Sequence, residues 1–98
     1  MIVGINHNIT DPKKWDQVTS QIRPMVEQGK LPSGIKPLFY MPAKDGRRAV
    51  CAWEANSVQD LKRFLDPLTS PGARNEYFEV NAEESMGLPM GEHAAAAR

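Results

Sequence analysis

His7 and Glu54 are the candidate catalytic residues of this chain, and Asn6, Asn8, Arg48 and Tyr77 the candidate ligand-binding residues. His7 stands in the run Asn6-His7-Asn8, just after the apolar opening MIVGI. Imidazole titrates near neutrality, which suits proton transfer, although a single His at a strand end also serves well as a half-buried structural residue. Glu54 follows Trp53 in CAWEANS. Turned into a cavity, its carboxylate becomes a base with a raised pKa through desolvation; turned outward, it is an ordinary solvated group. The two asparagines beside His7 either contact a ligand or line a polar rim, bonding backbone and water.

Other chemistries find less support. Cys51 is the only cysteine, so no intrachain disulfide and no Cys-based zinc site can form. It lies between Val50 and Ala52 and reads as a buried, inert thiol, because nothing in the local sequence supplies the base a nucleophile needs. A stable metal site wants three or four ligands at defined spacing, and the second histidine, His93, falls in the closing segment GEHAAAAR. Metal binding is left only as a weaker alternative, in which symmetry brings two copies of His7 together with carboxylates. Gly-rich phosphate loops, HExxH and GxSxG are absent, so no cofactor is expected.

The elements that must position these groups follow from periodicity and punctuation. Residues 1–9 predict a strand. Asp11 then serves as an N-cap with Pro12 at the first helical position. Trp15, Val18, Ile22, Met25 and Val26 form one helical stripe, which Pro24 should kink or end near Arg23. After the loop GKLPSG come strands at 35–43 and 47–55, joined at Asp45-Gly46, a hairpin turn signal. Ser57 and Asp60 open a second helix carrying Val58, Leu61, Phe64, Leu65 and Leu68, with Pro67 closing it. Residues 75–81 predict the last strand. The order β-α-β-β-α-β predicts a single ferredoxin-like α+β domain over 1–87: a four-stranded antiparallel sheet in the order four, one, three, two, with both helices on one face. Residues 88–98 read as a mobile tail.

Alternation puts His7 on the face with Val3 and Ile5, and Asn6 and Asn8 on the face with Gly4. Antiparallel pairing then sets Arg47 or Arg48 beside Asn8, with Glu76 or Tyr77 on the other side. Strands one and two carry apolar residues on both faces, whereas a sheet with one solvated face alternates more cleanly. Something should therefore cover the second face, and the simplest cover is another copy of the chain.

This order, together with LPSGIKPLFYMPAKDGRRAVCAWEANSVQDLKRFL, resembles the dimeric α+β barrel superfamily, which includes stress-responsive barrel proteins and antibiotic-biosynthesis-type monooxygenases. The resemblance spans residues 1–82 and lies in pattern rather than in a diagnostic motif. It implies a homodimer through the open sheet face, with a cavity for a small apolar or aromatic ligand. It leaves open a cofactor-independent oxygenase, an isomerase or a non-enzymatic module.

Composition narrows the partners. Across 98 residues, twelve Lys and Arg balance twelve Asp and Glu, so a nucleic-acid footprint is not expected. There is neither a Lys/Arg run for a membrane surface nor an apolar run of about 18 residues. With no secretory pattern at the N-terminus and one cysteine, a reduced cytoplasmic compartment is the expectation.

Overall fold

The computed structural model describes residues 1–87, so the tail expected at 88–98 lies outside the described residues. The elements are β1 (Ile2–Ile9), α1 (Pro12–Glu27), β2 (Lys36–Pro42), β3 (Arg48–Glu54), α2 (Val58–Thr69), β4 (Ala73–Glu79) and a short 3-10 turn at Ala82–Glu84. The sheet is antiparallel throughout, in the order β2-β3-β1-β4. This is an α+β fold with an open four-stranded sheet, compatible with the ferredoxin-like plan. Among the described residues, no helix is long and apolar enough to cross a membrane.

Local chemistry sets the element ends. The Asp11 carboxylate accepts the Lys14 N–H at 3.2 Å to start α1, and Ser57 Oγ accepts the Asp60 N–H at 3.0 Å to start α2. In the β2–β3 hairpin, Asp45 Oδ1 accepts the Arg47 N–H at 2.9 Å. The prolines depart from expectation. α1 continues past Pro24 to Glu27, and α2 continues past Pro67 to Thr69. Both prolines are exposed, as are Ser20 and Arg63 four residues earlier, so the carbonyls that each ring frees can bond to water.

The core lies between the sheet and the helices. Val3, Ile5, Cys51 and Trp53 point from β1 and β3 onto Leu61 and Leu65 of α2, with Ile22 of α1 packed alongside. Leu61 has no exposed surface. Burial of such a side chain contributes about 1.5–3 kcal/mol. A second cluster sets Trp15 against Ala49 and Ala73. The start of α1 is held by the loop before β4: a Cβ on Gly72 would stand 2.7 Å from the Trp15 backbone nitrogen. That contact fixes where Trp15 enters the site.

The opposite face has no helix. Register places Gly4, Asn6 and Asn8 there beside Ala52, Val50 and Arg48 of β3 and Phe78, Glu76 and Arg74 of β4. The Phe78 ring lies across Gly4, where a Cβ would be only 2.4 Å from the ring. Phe78 is nevertheless 47% exposed, and Met41 at the β2 edge 56%.

Candidate functional site

β1 is the central strand on which the site is built. Its register sets His7 directly opposite Asn75 of β4 and opposite Ala49 of β3, so Cys51 is its diagonal neighbour. All three side chains point to the helix-covered face. His7 is 4% exposed, and its ring lies 4.8 Å from that of Trp15.

These groups form a hydrogen-bonded line whose direction can be deduced. Thr69 Oγ1 donates to the Leu65 carbonyl at 2.8 Å, so it accepts from Asn75 Nδ2 at 2.7 Å. Asn75 Nδ2 also donates to Asp66 Oδ1 at 3.2 Å. The amide nitrogen therefore faces Asp66 and Thr69, and the amide oxygen faces His7. His7 Nδ1 must be the donor to Asn75 Oδ1, at 2.6 Å. In the neutral ring this leaves a lone pair on Nε2, aimed at Cys51 Sγ 3.0 Å away. The thiol donates to Nε2 and accepts the Trp53 indole N–H at 3.3 Å. Tyr77 joins the far end, its hydroxyl donating to Asp66 Oδ1 at 3.1 Å.

Electrostatics keep the line neutral. Burial lowers the His7 pKa below its ordinary 6.5, and the Asn75 hydrogen bond only partly opposes this. Burial pushes the Cys51 thiol up to about 11, with the Trp53 hydrogen bond pulling the other way. Burial first, then the neighbouring Asp66 carboxylate, raises the Tyr77 phenol. At neutral pH the pair is thus thiol and imidazole rather than thiolate and imidazolium. Proton transfer between them becomes favourable only when something stabilises the resulting charges.

His7 and Cys51 line a cavity of about 460 Å³ between α1 and the β2–β3 half of the sheet. Val18, Ile22 and Val26 make much of its wall apolar, while Arg23 and Glu27 also stand on its helical side. Tyr40 is the cross-strand partner of Cys51. Its hydroxyl accepts the Trp15 indole N–H at 3.0 Å, so its own proton is free to be donated. Volume and lining fit a small-molecule site, which is typically a concave, mostly apolar space with a few oriented polar groups.

The residues singled out from sequence separate into two groups. His7 is in the cavity. Tyr77 shares its face of the sheet but belongs to the Asp66 end of the network and does not line the cavity. Asn6, Asn8 and Arg48 lie together on the open face, with Asn8 directly opposite Arg48. Glu54 ends β3 on that same face, opposite both Ile2 and Lys36 and half-buried. Cys51, Asn75, Tyr40 and Trp15 complete the constellation around His7. Cys51 and Asn75 were within reach of the sequence only through cross-strand register, being 44 and 68 residues from His7.

Among the described residues, no group of three or more His, Cys, Asp and Glu side chains could hold a metal ion. No protein-family model matches the chain, and no curated protein matches it significantly.

Proposed function

We propose that this chain binds a small, largely apolar molecule of aromatic size in the cavity under α1, with His7 as the proton-handling group of cofactor-independent isomerase-type chemistry. The observation that carries this reading is the placement of His7 at the wall of a cavity of about 460 Å³, held in one tautomer by Asn75. A fixed tautomer leaves Nε2 as the basic nitrogen, and its hydrogen bond from the Cys51 thiol must give way before it takes a proton from a ligand.

The proposal includes a homodimer through the open face. Phe78 and Met41 give that face exposed apolar surface. Arg48, Arg74 and Glu76 supply both signs of charge beside it, which a two-fold axis can pair. In a dimer, Asn6, Asn8 and Arg48 would be interface groups rather than ligand contacts.

The alternative is a non-enzymatic module in which the network only stabilises the core. In its favour, no buried side-chain nitrogen or oxygen among the described residues lacks a partner. Titration with 4-phenyl-2-butanone, an unreactive aryl ketone, separates the two. Trp15 and Trp53 both line the cavity, so occupancy reads out in tryptophan fluorescence. Saturable quenching that is lost in Val18→Trp, which fills the cavity, supports the binding reading. A flat titration of folded wild-type protein with this and related aryl ketones overturns it.

A further inference from the structure

Cys51 has neighbours that its strand context hides. Cys51 lines the same cavity as His7, its thiol proton has a defined acceptor 3.0 Å away, and its cross-strand neighbour Tyr40 carries a hydroxyl that accepts from Trp15, leaving its own proton for a ligand. Cys51, His7 and Tyr40 thus line one largely apolar space, and Asn75 orients His7 from outside it. In nucleophilic catalysis the recognisable pattern is a nucleophile within hydrogen-bond reach of a base, itself oriented by a third group. Cys51, His7 and Asn75 meet that description.

We propose that Cys51 is a nucleophile that adds reversibly to α,β-unsaturated carbonyl compounds, so that the chain interconverts their cis and trans isomers. This rests on the cavity being a ligand site. The ligand lies along Ile22 and Val18, with its carbonyl oxygen at the Tyr40 hydroxyl and its β-carbon over Cys51 Sγ.

In the first step an S–C bond forms at the β-carbon while the thiol proton passes to His7 Nε2. The π pair of the C=C bond moves onto the α-carbon and carbonyl oxygen as an enolate, whose oxygen accepts the Tyr40 hydrogen bond. The former double bond is now single and rotates. In the second step the enolate pair re-forms the C=C bond, the S–C bond breaks with its electron pair returning to sulfur, and Nε2 returns the proton. Atoms and electrons balance with no oxidant, reductant or cofactor.

The neutral resting pair suits this cycle. A protonated, buried thiol has little reactivity towards reagents that the cavity does not hold, since the thiolate is the reactive form. Deprotonation is coupled to S–C bond formation, and the enolate and imidazolium form together, each with its own hydrogen bond. The apolar surroundings strengthen that pairing of opposite charges.

The test uses cis-4-phenyl-3-buten-2-one, with conversion to the trans isomer followed by ultraviolet absorbance. Wild-type protein should accelerate conversion at least tenfold over an equal concentration of free cysteine at pH 7, and mass spectrometry after rapid quenching should place the adduct on Cys51. Cys51→Ser and Cys51→Ala should abolish both signals while keeping a native far-ultraviolet circular dichroism spectrum, which shows that they are folded. Tyr40→Phe should slow conversion at least fivefold at saturating enone, with a native far-ultraviolet circular dichroism spectrum. If wild-type protein binds 4-phenyl-2-butanone but neither converts nor captures the enone, the nucleophile assignment is wrong and the cavity reading stands. Absence of binding by either compound removes both.

Discussion

The Nε2 atom of His7 lies 3.0 Å from Cys51 Sγ, while its Nδ1 lies 2.6 Å from Asn75 Oδ1. One imidazole thus joins the two strands that flank β1. Because Thr69 and Asp66 fix the orientation of the Asn75 amide, they also fix which imidazole nitrogen holds the proton.

Acid should weaken the fold through His7. Its folded pKa lies below the ordinary 6.5, so the unfolded chain binds the extra proton first. Stability is therefore full above 6.5 and falls as pH drops through the folded value, by at most about 1.4 kcal/mol per pH unit. Urea midpoints between pH 7.5 and 5 should show this slope, and His7→Gln should flatten it. An unchanged slope in the variant would mean that other groups cause the loss.

At alkaline pH the sign reverses. Cys51 ionises near 9.0 in an ordinary setting but only at about 11 in the fold, so the contribution of the thiol is complete below 9 and is lost as pH rises to 11. Tyr77 adds to this at higher pH, its phenol also being raised. Cys51→Ala should reduce the loss between pH 9 and 11 as measured by chemical denaturation.

Asn75→Ala should cost about 1–3 kcal/mol, because it leaves a buried imidazole N–H without its acceptor. The loss should show as a lower denaturant midpoint at unchanged m-value. The same variant should also lose the fixed tautomer of His7. A stable protein with an unaltered imidazole signal would remove Asn75 from the network.

Two glycines predict contrasting outcomes. Gly72→Ala puts a methyl against the Trp15 backbone, which cannot move aside, so it should destabilise by about 1–3 kcal/mol and disturb the cavity. Gly4→Ala instead meets the Phe78 ring, an exposed side chain that can swing away. In the proposed dimer its effect should fall on self-association, with sedimentation equilibrium showing weaker association, and less on the thermal midpoint. Equal thermal losses in the two variants would contradict the distinction.

Much of the frame was legible because its signals are local. Asp11-Pro12, Ser57 with Asp60, and Asp45-Gly46 act within three residues of themselves, and strand alternation put His7 on the face with Val3 and Ile5. Neither proline ends its helix, because the cost of a proline depends on whether the freed carbonyl meets water, which sequence does not reveal. Half of the site was hidden for a different reason. From Val50 and Ala52 alone Cys51 reads as a buried thiol, which it is, while the imidazole beside it arrives from another strand. Tyr77 shares the His7 face because it stands opposite Ile5, and that register depends on where β4 begins. The structure starts β4 at Ala73, two residues earlier than the pattern predicts.

The most direct test of this account is a long-range nitrogen–proton correlation spectrum of the histidine rings at pH 7, with His7→Gln identifying the His7 signals, recorded before and after addition of 4-phenyl-2-butanone. The account predicts a neutral His7 with its proton on Nδ1, and signals that shift as the ketone saturates the cavity. A proton on Nε2, or His7 signals indifferent to the ketone, would contradict it.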